Sequence, residues 1–122
     1  MKIMCLAIAI IGLTAVNPAN AQQPMAVKIV GIGATSCRSF VEQATPDRSS
    51  QRQYLAWMQG YMSGIVIARP VGVDEGIDLN PKTFPLAQQI KFIRDYCLNA
   101  PSDSFADAVE ELFKKLRSIS ST

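Results

Sequence analysis

The stretch QRQYLAWMQGYMSGIVIARP, residues 51–70, decides the fold. Tyr54, Trp57, Met58, Tyr61, Met62 and Ile65 recur at the three-to-four spacing that places side chains on one face of an α-helix. Ser50 with Gln53 has the pattern of a capping box at its start, and Pro70 after Arg69 stops it. A helix with one wide apolar stripe needs other elements to cover it.

The same period recurs on both sides. Upstream, a short helix is expected from about Ser36 to Ala44: Thr35 or Ser36 caps it, Thr45-Pro46 ends it, and Cys37, Phe40 and Val41 share a face. Downstream, residues 70–85 are broken by Gly72, Gly76 and Pro81 and read as an extended loop. A third helix begins near Pro85, with Leu86, Ile90, Ile93 and Cys97 on one side, and Asn99-Ala100-Pro101 closes it. A fourth starts after Ser102 or Ser104 and carries Phe105, Val109, Leu112 and Leu116. Residues 118–122 are expected to fray. The fold class is therefore all-α, a small four-helix bundle over residues 35–122.

Residues 22–34 precede it as an N-terminal arm, apolar and β-branched from Met25 to Ile32 but with no second strand to pair with. Gly31-Ile32-Gly33 is only a fragment of a dinucleotide-binding turn, so no phosphate site is read there. Residues 1–21 read as a secretory signal peptide: Lys2, an apolar run from Ile3 to Val16, and an Ala19-Asn20-Ala21 cleavage motif. The run is short for a bilayer span, so no stable membrane insertion is expected after cleavage.

Export bears on the cysteines. Cys5 leaves with the leader, and Cys37 and Cys97 remain as the one possible intramolecular disulfide, with free thiols or an intermolecular bridge as the alternative. The bond would join the first helix to the end of the third.

Twelve Lys and Arg against ten Asp and Glu give +2, and +1 once Lys2 is lost. The basic residues are scattered, and only Lys114-Lys115 are adjacent, so nucleic acid is not an expected partner. The chain has no histidine, which removes Ser-His-Asp and Cys-His nucleophile pairs and imidazole metal ligands. No catalytic residue, metal ligand or cofactor is assigned. Asp74, Glu75 and Asp78 lack the alternation of a calcium loop and read as solvated loop acids.

Gly60 and Gly64 lie one turn apart, each costing up to about 1 kcal/mol relative to alanine inside a helix. Close approach of a neighbouring helix, in the bundle or across a homodimer, explains such a pair. Trp57, Met58, Tyr61 and Met62 beside them read first as core. The sharper reading makes them a soft apolar surface for unfolded clients or a protein partner.

Cys37-Arg-Ser-Phe40, Pro46, Trp57-Met58 and Tyr96-Cys97-Leu-Asn-Ala-Pro101 resemble the HdeA/HdeB acid-stress chaperones, with their Cys-x-x-Phe opening and a second cysteine after tyrosine. The resemblance implies a small periplasmic all-α dimer with one disulfide. Such a protein idles near neutrality, opens partly in strong acid, and holds unfolded periplasmic proteins on apolar surface. Without histidine, any acid response here must come from carboxylates. The Gly60-Tyr61-x-x-Gly64 helix and the Asn99-Ala100-Pro101 break are also similar to Tai-type immunity proteins, helical dimers that block a secreted cell-wall amidase. That second resemblance implies a protein effector as partner.

Overall fold

In a computed structural model, which describes residues 28–121, four helices follow the expected order. They are α1 (Cys37–Ala44), α2 (Arg48–Ala68), α3 (Leu86–Asn99) and α4 (Phe105–Ser120), preceded by a single 3-10 turn at Gly31–Ala34. The expected leader, 1–21, and residues 22–27 of the arm lie outside the described residues, as does Thr122.

Three of the four helices start on a side-chain cap, and α3 starts after Pro85 without one. Ser36 accepts the Ser39 N–H and caps α1. Ser104 caps α4 through the Asp107 N–H, while the Asp107 carboxylate takes the Ser104 N–H in return, a complete capping box. For α2 the expectation needs correction: Asp47, not Ser50, is the cap. Its carboxylate accepts the N–H groups of Ser49 and Ser50 and also the Ser50 hydroxyl, so the Ser50 side chain is taken up by Asp47 and the helix starts three residues earlier than the Ser50–Gln53 pattern implied. Those three bonds, the Ser50 hydroxyl first, hold the Asp47 carboxyl below its ordinary value.

The far end of α4 also differs. The helix continues through Ser120, whose hydroxyl donates to the Leu116 carbonyl and accepts the Asp78 N–H from the central loop. A loop docked on the last turn is what keeps that turn wound.

Helix α4 packs against α1, α2 and α3 and carries more of the buried residues than any other helix. Its Phe105, Ala108, Val109, Leu112 and Leu116 are fully buried, as the period of the sequence required. Around Phe105 gathers an aromatic cluster: Phe40 at 5.0 Å, Tyr54 at 4.8 Å and Trp57 at 5.9 Å between ring centroids. Burying rings of this size contributes about 1.5–3 kcal/mol each, with a further fraction from their edge-to-face contacts.

Cys37 and Cys97 form the disulfide, both wholly buried, with Cα atoms 4.7 Å apart. It fastens the first residue of α1 to the last turn of α3. Next to it, the Cys37 N–H donates to Asp103 and the Phe105 N–H to Thr35, an antiparallel bridge that pairs Ser36 with Ser104 and aligns the starts of α1 and α4. The described residues contain no named strand. What the apolar run near the arm does form is the 3-10 turn, which packs on α2 and α4.

Candidate functional site

Helix α2 carries every client- or partner-binding candidate, and its two sides differ in kind. On the inner side Met58 and Met62 are completely buried alongside Tyr54. Trp57 and Tyr61 are half-buried and stacked on each other, 4.8 Å between centroids and 14° between planes. The four residues are thus one continuous apolar seam, deep at the methionines and shallow at the two rings. In the folded chain Met58 and Met62 meet no solvent.

Gly60 and Gly64 occupy the outer side. A Cβ on either would meet nothing within 4 Å, so the expected close approach of another helix inside the bundle is not there. The α2 period explains the correction: the seam at 54, 58, 61, 62 and 65 faces α4, and residues 60 and 64 fall on the opposite edge, exposed. Between Gln53 and Ala68 the helix carries no charged residue, so this outer face is uncharged.

Between α2 and α4, towards their C-terminal ends, the helices stand apart and leave an open cleft of about 430 Å³. Its floor is Ile65 and Phe113, and its rim holds Arg69, Glu110, Lys114 and Arg117. Tyr61 donates from its hydroxyl to Glu110 Oε1 at 2.8 Å across the cleft. Partial burial, with the Glu110 hydrogen bond second, pushes the Tyr61 phenol up to about 12. Glu111 accepts from Lys114 at 2.6 Å and raises the pKa of that ammonium.

The acids of the central loop are not alike. Glu75 and Asp78 remain exposed, as expected of solvated loop acids. Asp74 does not: its side chain keeps 6% of its exposure and lies between two arginines, Oδ1 at 2.7 Å from Arg117 Nε and Oδ2 at 3.2 Å from Arg69 Nε. Nothing in the periodicity singles it out, because its partners are 5 and 43 residues away. The one local hint is the turn around it, where Gly72, Asp74 and Gly76 all take positive φ, a conformation that aspartate tolerates better than most.

Gln89 is a second residue the pattern passed over. It is 1% exposed and donates both bonds of its amide nitrogen inward, to the carbonyls of Leu79 and Phe84. These bonds pin the end of the central loop to α3. Its signal was present: Gln89 stands three residues after Leu86 and four before Ile93, on the buried face. Tyr96, next to Cys97, donates to Asp103 at 2.6 Å, a bond that with burial pushes its phenol to about 12 and ties α3 to the turn before α4.

Among the described residues no three His, Cys, Asp or Glu side chains are placed to hold a metal ion, and no helix is long and apolar enough to cross a membrane. No family model, curated protein or solved structure matches the chain.

Proposed function

We propose that this is an exported, periplasmic acid-stress chaperone of the HdeA/HdeB kind, which holds unfolded proteins on apolar surface that it uncovers only in strong acid. The observation that carries the reading is the seam of α2, where Met58 and Met62 are fully buried beside the half-buried, stacked rings of Trp57 and Tyr61, so that the soft methionine surface is covered in the folded chain. A client surface that is covered when idle avoids the self-association that a permanently exposed patch invites. The switch has a charge source: neutralising the ten acids takes the mature chain from +1 to near +11, and self-repulsion then favours opening and dissociation of a homodimer. The sign follows from the carboxylates. One that is ion-paired when folded stabilises the fold above the carboxylate range, and that stabilisation is lost as pH falls through it. No catalytic step and no cofactor is invoked.

The test is light scattering from an acid-unfolded periplasmic protein at pH 2, with and without this chain. Suppression of scattering, together with apolar-dye binding below about pH 4 and none at pH 6, supports the reading. Full scattering in the presence of the chain at pH 2 overturns it.

A second reading, an immunity protein that blocks a secreted amidase, is favoured by one observation: the uncharged outer face of α2 around Gly60 and Gly64 is open to a folded partner. Co-purification with such an amidase at neutral pH would put this reading first.

A further inference from the structure

The attachments of α2 divide sharply along its length. At its N-terminal half, Tyr54 sits among Phe40 and Phe105 and its hydroxyl bonds to Gln43 and Thr35, all neutral groups. At its C-terminal half, two polar links to α4 run through carboxylates. One is Tyr61 to Glu110, and the other is Arg69 to Arg117 through the Asp74 carboxylate between them. Beside these links the helices are separated by the cleft rather than interlocked.

Asp74 is placed at some expense. It is the only described non-glycine residue with positive φ, 59°, and its Oδ2 is closed to solvent without a well-formed hydrogen bond, compensated by the Arg69 charge alone. A left-handed backbone with a nearly buried carboxylate persists only where the surroundings hold it. Here they are the guanidiniums at the end of α2 and in the last turn of α4.

We propose that Asp74 is an acid-sensitive latch: ionised, it joins Arg69 to Arg117 and closes the C-terminal half of α2 onto α4; neutralised, it frees that half to swing out and uncover Met58 and Met62. The proposal deepens the chaperone reading and rests on it for its purpose. The groups that face the latch are Arg69 from α2, Arg117 from α4 and Glu75 from its own loop, with Glu110 and Lys114 along the same cleft. Without carboxylate charge, Arg69, Lys114 and Arg117 line one cleft with no counter-charge, and repulsion replaces attraction. The disulfide holds α1 to α3 and does not clamp α2 directly, so no covalent bond holds the C-terminal half of α2 against α4. Its neutral anchorage at Tyr54 is the pivot.

The full chain is titrated from pH 7 to pH 2 by apolar-dye binding and by the fluorescence of Trp57, its single tryptophan. Asp74→Asn, which removes the latch charge, is expected to move the midpoint of opening up by about one pH unit or more, and Asp78→Asn, on the same loop but exposed, to leave it in place. Equal midpoints for Asp74→Asn and the parent overturn the latch. Should Asp74→Asn not fold, the unmodified chain answers the question by hydrogen exchange. Amides of residues 62–69 are expected to lose protection at least tenfold before those of α1 and α3 as pH falls. Loss in all helices together overturns it. These readouts report opening whether or not a client is held. Opening that follows Asp74 without suppressed aggregation sinks the chaperone reading and keeps the latch, and suppressed aggregation with an unmoved midpoint does the reverse.

Discussion

Gly33 lies against the benzo ring of Trp57, so close that a Cβ built on it would overlap the ring carbons. The single turn at Gly31–Ala34 can therefore cover the half-buried tryptophan only with glycine at this position, since the contact requires the missing side chain rather than an unusual φ. Gly33→Ala is expected to lower the stability of the fold by about 1–3 kcal/mol, the range for overpacking a tight site. Urea unfolding followed through Trp57 emission checks it, and an unshifted midpoint would contradict the contact.

Gly60→Ala and Gly64→Ala should do the opposite. Nothing stands within 4 Å of either new methyl group, and both positions lie inside a helix, so each exchange should stabilise the monomer by up to about 1 kcal/mol. Thermal melts of the single and double variants measure this. A loss of stability that grows with protein concentration would instead mark the outer face of α2 as a contact between two copies.

Replacing Cys37 and Cys97 by alanine removes a closure of 60 residues, worth about 4 kcal/mol in the chain-entropy treatment. Reduction of the native protein should give a similar drop. Parallel urea curves with and without reductant show it, and a difference below about 1 kcal/mol would mean that the unfolded chain is already restrained near these positions.

The phenols predict behaviour in alkali. Tyr61 and Tyr96 are both pushed to about 12, whereas an unfolded phenol ionises near 10. The folded state thus keeps protons that the unfolded state sheds, and their contribution is whole below about pH 10 and declines as pH rises towards 12. Absorbance at the phenolate band should show two late-ionising groups, and a Tyr61→Phe, Tyr96→Phe variant should lose less stability across that window. Two phenols titrating near 10 in the folded protein would refute the assignment.

The helices were legible because their apolar faces repeat: Phe105, Val109, Leu112 and Leu116 on α4, and Tyr54, Met58 and Met62 on α2, are all buried where the period placed them. The disulfide was legible from a count of two cysteines once export is expected. The start of α2 was misplaced because Ser50 and Asp47 are both capping residues, and which one wins depends on a hydrogen bond between them that no pattern displays. Of the candidate residues, the seam was found but not its depth. For Gly60 and Gly64 the bundle does not supply the close neighbour, which leaves the homodimer alternative, since spacing gives a face and not what lies opposite. Asp74 reads in the sequence as one more solvated loop acid, because its pairing with Arg117 is a product of the tertiary fold.

The bond between Cys37 and Cys97 also has a topological result. All of α2 and the whole segment from 70 to 85 lie within the covalent ring it closes, and α4 lies outside. A protease that nicks the exposed part of that segment, around Val71 with 97% of its surface open, would leave two fragments still chained to one another. In an environment rich in digestive enzymes, such a molecule can be cut once and travel on a gel as if intact until a thiol is added.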